Sequence, residues 1–167
     1  MPVLTRRTLA FALLFAPTAL RARSVRCPPP PTVLFVCPAG SVKSAIARET
    51  LKARAAQAGL PVRAQSRGLK PEDHISPGLA AKLKADGVDP AAEPLQALRA
   101  EDVTAATLVI AFDEAAADPM LRGARTWTSP SWNADYPAAK TALTARMDDL
   151  IGELARLNPV GCQGTSQ

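Results

Sequence analysis

Cysteine, histidine and aromatic residues are all scarce in this 167-residue chain. It has three cysteines (Cys27, Cys37 and Cys162), one histidine (His74), and 4% aromatic residues. A single histidine beside scattered cysteines cannot build the Cys/His spacing of a zinc site, so no metal and no cofactor is expected. Few aromatics, none interleaved with basic residues, leave nothing for bases to stack on, and nucleic acid is not an expected partner. No internal repeat is visible. Acidic residues are missing from the first 22 positions, where Arg6, Arg7 and Arg21 lie, so much of the net charge of +5 belongs to that segment. With 21% charged and 47% apolar residues, the rest has the composition of one ordinary globular domain.

The first 24 residues read as an address. A polar start with Arg6-Arg7 precedes about a dozen apolar residues, Leu9 to Leu20, too short to span a bilayer comfortably. Thr5-Arg6-Arg7 resembles a twin-arginine export signal; an ordinary secretory signal or a basic amphipathic leader is the alternative. Ala22 and Ser24 offer a cleavage site, and Arg26 before Cys27 argues against lipid attachment. The expected location is therefore outside the cytoplasm, in the periplasm, with no membrane contact after signal removal. A cytoplasmic protein is the alternative if the leader is a start-site artefact. The expected organisation is a signal over 1–24, a proline-rich spacer over 25–31, a domain over 32–158 and a disordered tail over 159–167. Cys27 and Cys162 flank the domain; they could pair in an oxidising compartment or remain two free thiols.

From Thr32 onward, strand and helix signals alternate. Thr32–Val36 (TVLFV) is a short apolar run, the mark of a strand buried on both faces. A helix is expected from about Lys43 to Ala58, closed by Gly59 and Pro61, then a strand over Pro61–Ser66. Ser76-Pro77 caps the next helix, which stops at Gly87. A third strand is expected over Thr107–Phe112, a helix from about Glu114 to Leu121, and a weaker strand over Ala124–Thr128. In the last helix, Leu143, Met147, Leu150, Ile151, Leu154 and Leu157 hold helical spacing and form one buried stripe. The expected class is α/β: three layers, a four-stranded parallel sheet with helices on both faces.

Ligands of such sheets bind beyond the C-terminal ends of the strands, where Cys37 sits. The stretch Val33–Ala47 (VLFVCPAGSVKSAIA) runs a strand into a cysteine, a glycine turn and a helix. A helix N-terminus offers unpaired N–H groups and partial positive charge, and a loop entering it can curl those donors around an anion. A cysteine at the first loop position is then favoured as thiolate. Gly40 lets the backbone turn, and Ser44 can donate its hydroxyl to the sulfur. A buried, inert core cysteine is the plainer alternative.

The segment Cys37–Ser44 (CPAGSVKS) resembles the C-x-x-G-x-x-R-S signature of the low-molecular-weight protein tyrosine phosphatases and of the arsenate reductases built on the same fold. The similarity continues through AQSRGL, HISPGLAAKLKADGVD, LRAEDVTAATLVIAFDEA and TWTSPSWNADYPAAKTALTARMDDLIGEL, and so covers roughly Thr32 to Leu157. It implies that Cys37 attacks phosphorus, that Pro38, Ala39, Gly40, Ser41, Val42, Lys43 and Ser44 cradle the phosphoryl group, and that a loop aspartate protonates the leaving oxygen.

Two positions depart from that pattern. The arginine position is Lys43, a point charge without the planar fork that grips two oxygens. The residue before Pro130 is Ser129, which cannot serve as a general acid near neutral pH. Asp118-Pro119 lies about ten residues early, at a surface helix end; Asp135 is nearer the loop and could substitute, or could simply cap the last helix. Arg48 and Arg67 could add positive field or be solvated charges, and Trp127 and Trp132 could wall a cleft or cover the core.

The function expected from this resemblance is hydrolysis of a phosphate monoester through a phosphocysteine at Cys37, weakened by Lys43 and Ser129. Its substrate would be a phosphotyrosine protein or a phosphorylated small molecule. The alternatives are a non-catalytic oxyanion- or phosphopeptide-binding module and an arsenate reductase. The last is disfavoured in its thioredoxin-coupled form, because no cysteine between Cys37 and Cys162 could relay a disulfide.

Overall fold

The computed structural model describes residues 28–157. The leader, Cys27, Cys162 and the tail therefore lie outside the described residues. Four strands, β1 (Thr32–Cys37), β2 (Arg63–Gly68), β3 (Leu108–Phe112) and β4 (Arg125–Trp127), form one sheet in the order β2-β1-β3-β4. Every pairing is parallel, with Phe35 opposite Ser66 on one side and Ile110 on the other. The helices are α1 (Lys43–Gln57), α2 (Pro77–Ala85), α3 (Ala100–Ala105) and α4 (Tyr136–Leu157).

Central strand β1 explains the layering. Val33, Leu34, Phe35 and Val36 are fully buried, and successive side chains point to opposite faces. Val33 and Phe35 pack with Ile46 and Leu51 of α1 and with Met147, Leu150 and Leu154 of α4. Phe35 also meets Phe112 and Trp127, with ring centres 6.4 and 5.9 Å away. Leu34 and Val36 join Leu98, Ala111, Ala115 and Leu121 on the other face. That face is thinner, covered by α3 and by two 3-10 turns, Asp113–Ala117 and Pro119–Leu121.

Those turns stand where a continuous helix from Glu114 to Leu121 is expected. Asp118 breaks it: extended at φ −66°, ψ 132°, it uses its carboxylate to cap the second turn through the Met120 N–H. The residue before a proline is pushed out of helical geometry, and Pro119 follows. Helix α3 was not among the expected elements; its short, polar sequence carries no apolar period. Ser76 caps α2 as expected, accepting from the Leu79 N–H, with Pro77 in the first turn.

Candidate active site

Cys37 ends β1 and Lys43 begins α1, so the loop 38–42 has only to carry the chain from the sheet's C-terminal edge into a helix N-terminus. No side chain caps α1 and its first turn holds no acidic residue, so its leading N–H groups meet no competing negative charge of their own. Cys37 is buried, at 3% exposure. Two groups converge on its Sγ: the Gly40 N–H at 3.2 Å and the Ser44 Oγ at 3.1 Å. The Ser44 hydroxyl also lies 3.2 Å from the Gly40 carbonyl and 3.4 Å from that of Arg67, so its one proton has three acceptors within reach.

Two glycines make the loop's path possible. Gly40 adopts φ +80°, and a Cβ there would come within 2.9 Å of the Gly68 nitrogen. A Cβ on Gly68 would meet the Ala39 carbonyl oxygen at 2.7 Å. The loop and the end of β2 thus approach backbone to backbone. The contact continues as a ladder: the N–H groups of Leu69, Lys70 and Glu72 donate to the carbonyls of Cys37, Pro38 and Ala39 at 3.3, 2.9 and 3.0 Å. Three carbonyls that would repel an anion are thereby occupied. Gly68 was missed as a site-forming residue; its only sign in the sequence is a glycine closing a strand.

Lys43 does not stand free. Its Nζ lies 2.5 Å from Asp113 Oδ2, and Asp113 Oδ1 accepts the Ser129 N–H at 3.1 Å. Asp113 follows β3 directly and holds φ +49°, the left-handed region that aspartate tolerates better than most residues. One carboxylate therefore ties the Lys43 ammonium to the loop that bears Ser129.

Arg48 and Arg67 are occupied elsewhere. Arg48 is not a solvated charge: it is 2% exposed, and its guanidinium donates to Glu49, to Ser66 Oγ at 2.7 Å and to the Pro90 carbonyl at 3.0 Å. Arg67 donates to Asp102 Oδ1 at 2.8 Å. Partial burial opposes ionisation of Asp102, but the Arg67 and Arg99 hydrogen bonds outweigh it and hold its carboxyl below the usual range. Neither arginine is left to face an anion at Cys37.

A cavity of about 250 Å³ opens over the loop, lined by Cys37, Pro38, Ala39, Val42, Lys43, His74, Glu114, Ser131, Trp132 and Asn133. A second of about 320 Å³ shares Pro38, Ala39, His74 and Glu114 and adds Leu69, Lys70 and Glu72. Trp132 both walls the first cavity and sits in the core at 4% exposure, whereas Trp127 sits in the core with the Arg146 guanidinium 5.8 Å from its ring centre. Asp135 is not among the lining residues, although its N–H donates to the Ser131 carbonyl at 2.8 Å. Its Oδ1 accepts the Ala138 N–H at 3.0 Å, so its carboxylate is used in capping α4.

A family model described as low molecular weight phosphotyrosine protein phosphatase matches residues 32–129. Among solved structures, YfkJ from Bacillus subtilis is similar at 16% identity and TM-score 0.63, over 77% of this chain and 96% of that one. The YwlE arginine phosphatase from Geobacillus stearothermophilus is similar at 23% identity and TM-score 0.61, over 77% and 95%. A thioredoxin-dependent arsenate reductase from Corynebacterium glutamicum is similar at 24% identity and TM-score 0.59, over 77% of this chain and 64% of that one. Among curated proteins none matches significantly. At these identities the structures show a shared fold.

Proposed function

Because the chain belongs to the low molecular weight phosphotyrosine protein phosphatase family, we propose that it hydrolyses phosphate monoesters through a covalent phosphocysteine at Cys37. The observation that supports this reading best is the pair of hydrogen bonds on Sγ, from the Gly40 N–H and Ser44, at the mouth of an uncapped helix. A phosphoryl group above Sγ meets the N–H groups of residues 39–44, which take its oxygens as charge builds in transfer. Sγ attacks phosphorus, the ester oxygen departs, and water then attacks the phosphocysteine and frees the thiolate. Ser44 holds Sγ before attack and can donate to it as it leaves. The substrate class proposed is a phosphotyrosine protein or a phosphorylated small molecule, with Trp132 beside the opening for an aromatic ester to rest on.

One observation favours a second reading. Lys43 is paired with Asp113, so the cradle brings no unpaired cation to the phosphoryl group. That suits a module that binds oxyanions and turns them over slowly or not at all. Hydrolysis of p-nitrophenyl phosphate by the full chain under reducing conditions separates the two. Turnover abolished by Cys37→Ser supports the phosphatase. No turnover, with vanadate binding that weakens in Lys43→Ala, supports the binding module. Arsenate-dependent consumption of a thiol reductant, in place of phosphate release, would assign the chain to the reductases.

A further inference from the structure

The reaction proposed above leaves one step without a donor, the protonation of the departing ester oxygen. The entering sulfur and the leaving oxygen lie in line through phosphorus, so that oxygen leaves toward the cavity mouth, away from the loop. Ser129 carries no acid, and Asp135 is used in capping α4. Two ionisable side chains line the cavity with Cys37 from outside the loop and helix α1: His74 and Glu114. Glu114 has no hydrogen-bond or ion-pair partner among the described residues. Glu114 is thus held by nothing that would aim its carboxyl group at a leaving oxygen.

His74 is also the better fixed of the two. Its backbone N–H donates to Ser41 Oγ in the loop at 3.0 Å, and its carbonyl accepts from Asn133 Nδ2 on the opposite wall at 2.9 Å. Its imidazole Nε2 lies 3.1 Å from Glu72 Oε2. The residue is therefore pinned to both sides of the cavity, with a carboxylate beside its ring.

We propose that His74 is the general acid of this protein, in place of a loop aspartate at position 129; this rests on the phosphatase reading. In the imidazolium, Nε2–H donates to Glu72, which leaves Nδ1–H as the donor for the substrate. As the Sγ–P bond forms and the P–O bond breaks, the Nδ1 proton passes to the leaving oxygen. The neutral imidazole then takes a proton from the water that attacks the phosphocysteine. Inorganic phosphate leaves, the thiolate is freed, and the imidazolium is restored.

The test compares two leaving groups. Single-turnover cleavage of p-nitrophenyl phosphate, whose phenolate needs little protonation, and of phenyl phosphate, whose phenolate needs it, is measured for the full chain and for His74→Asn, His74→Gln and Glu114→Gln. Both pins on His74 are backbone bonds, so the variants keep them; a thermal melt checks each fold. In both His74 variants phenyl phosphate cleavage should fall about a hundredfold or more and p-nitrophenyl phosphate cleavage by less than about tenfold. Glu114→Gln should keep the parent's ratio of the two rates. Equal slowing of both substrates in the His74 variants, or a ratio that moves in Glu114→Gln instead, overturns the assignment to His74 alone. Absence of any Cys37-dependent turnover in the parent overturns the phosphatase reading, and the role of His74 with it.

Discussion

Lys43 shows what one side chain can and cannot do at the proposed phosphoryl site. Its ammonium is a compact charge, and 2.5 Å from Asp113 Oδ2 that charge is already engaged. A guanidinium at the same position has five donors in a plane, enough to keep Asp113 and still present two N–H groups to a phosphoryl group. Lys43→Arg should therefore raise kcat/KM for p-nitrophenyl phosphate by about tenfold or more. An unchanged value would mean that this side chain does not reach the substrate. Gly68 is as constrained as Lys43 is adaptable. A methyl group on it would press on the Ala39 carbonyl, and backbone cannot step aside as a side chain can. Gly68→Ala should cost about 2–4 kcal/mol in urea unfolding and displace the loop, and with it any vanadate binding.

At the scale of elements, α1 is attached to the sheet by more than apolar contact. Arg48 projects from it, fully buried, and bonds Ser66 on β2 and the carbonyl of Pro90. Glu49 and Glu93 neutralise it, and Lys52 bridges the same two carboxylates. Truncating Arg48 leaves a cavity and strips the donors from Ser66 Oγ and the Pro90 carbonyl, while Lys52 still pairs the two carboxylates. Arg48→Ala should lower unfolding stability by about 3 kcal/mol or more, read from a denaturant midpoint; a loss under about 1 kcal/mol would show the site open to water. This network also marks how far the sequence could be read. The apolar run of β1, the Ser76-Pro77 start of α2, the stripe of α4 and the Cys37–Ser44 turn each declare themselves in local pattern. What joins two distant segments does not: Arg48 with Glu93, Arg67 with Asp102, Lys43 with Asp113, and Gly40 against Gly68. A charged residue in a sequence looks solvated until its partner is located. The short α3 went unread for a different reason, since six residues set no apolar period, and the 3-10 turns over Asp113–Leu121 read as one helix that Asp118-Pro119 in fact interrupts.

The molecule as a whole carries a pH response built from its surface pairs. Lys140, then Tyr136, hydrogen-bond Asp86 and hold its carboxyl below the usual value of 3.8. Partial burial opposes ionisation of Glu93, but Lys52 outweighs it, and Arg125 holds Glu153 low. Carboxyl groups depressed in the fold add stability that is present above their ordinary values and lost as pH falls through the lower, folded ones. Tyr136 behaves oppositely: partial burial and the Asp86 acceptor push its phenol from 10.0 up to about 12. Its contribution is complete below pH 10 and lost as pH rises toward 12. The urea midpoint should therefore fall below about pH 4 and again above about pH 10. Tyr136→Phe should reduce the alkaline loss; a limb that stays as steep would assign it to other groups. Across the same molecule, the strand that ends in Cys37 is paired on both edges and covered on both faces. In amide hydrogen exchange such a strand opens last, only when the whole domain does. The interior of β1 then works as an internal clock for global unfolding, while residues 39–42 of the loop exchange by local opening. Phosphate or vanadate held by the loop would slow those few amides selectively, so the ligand's footprint and the fold's stability could be read from neighbouring positions of one chain.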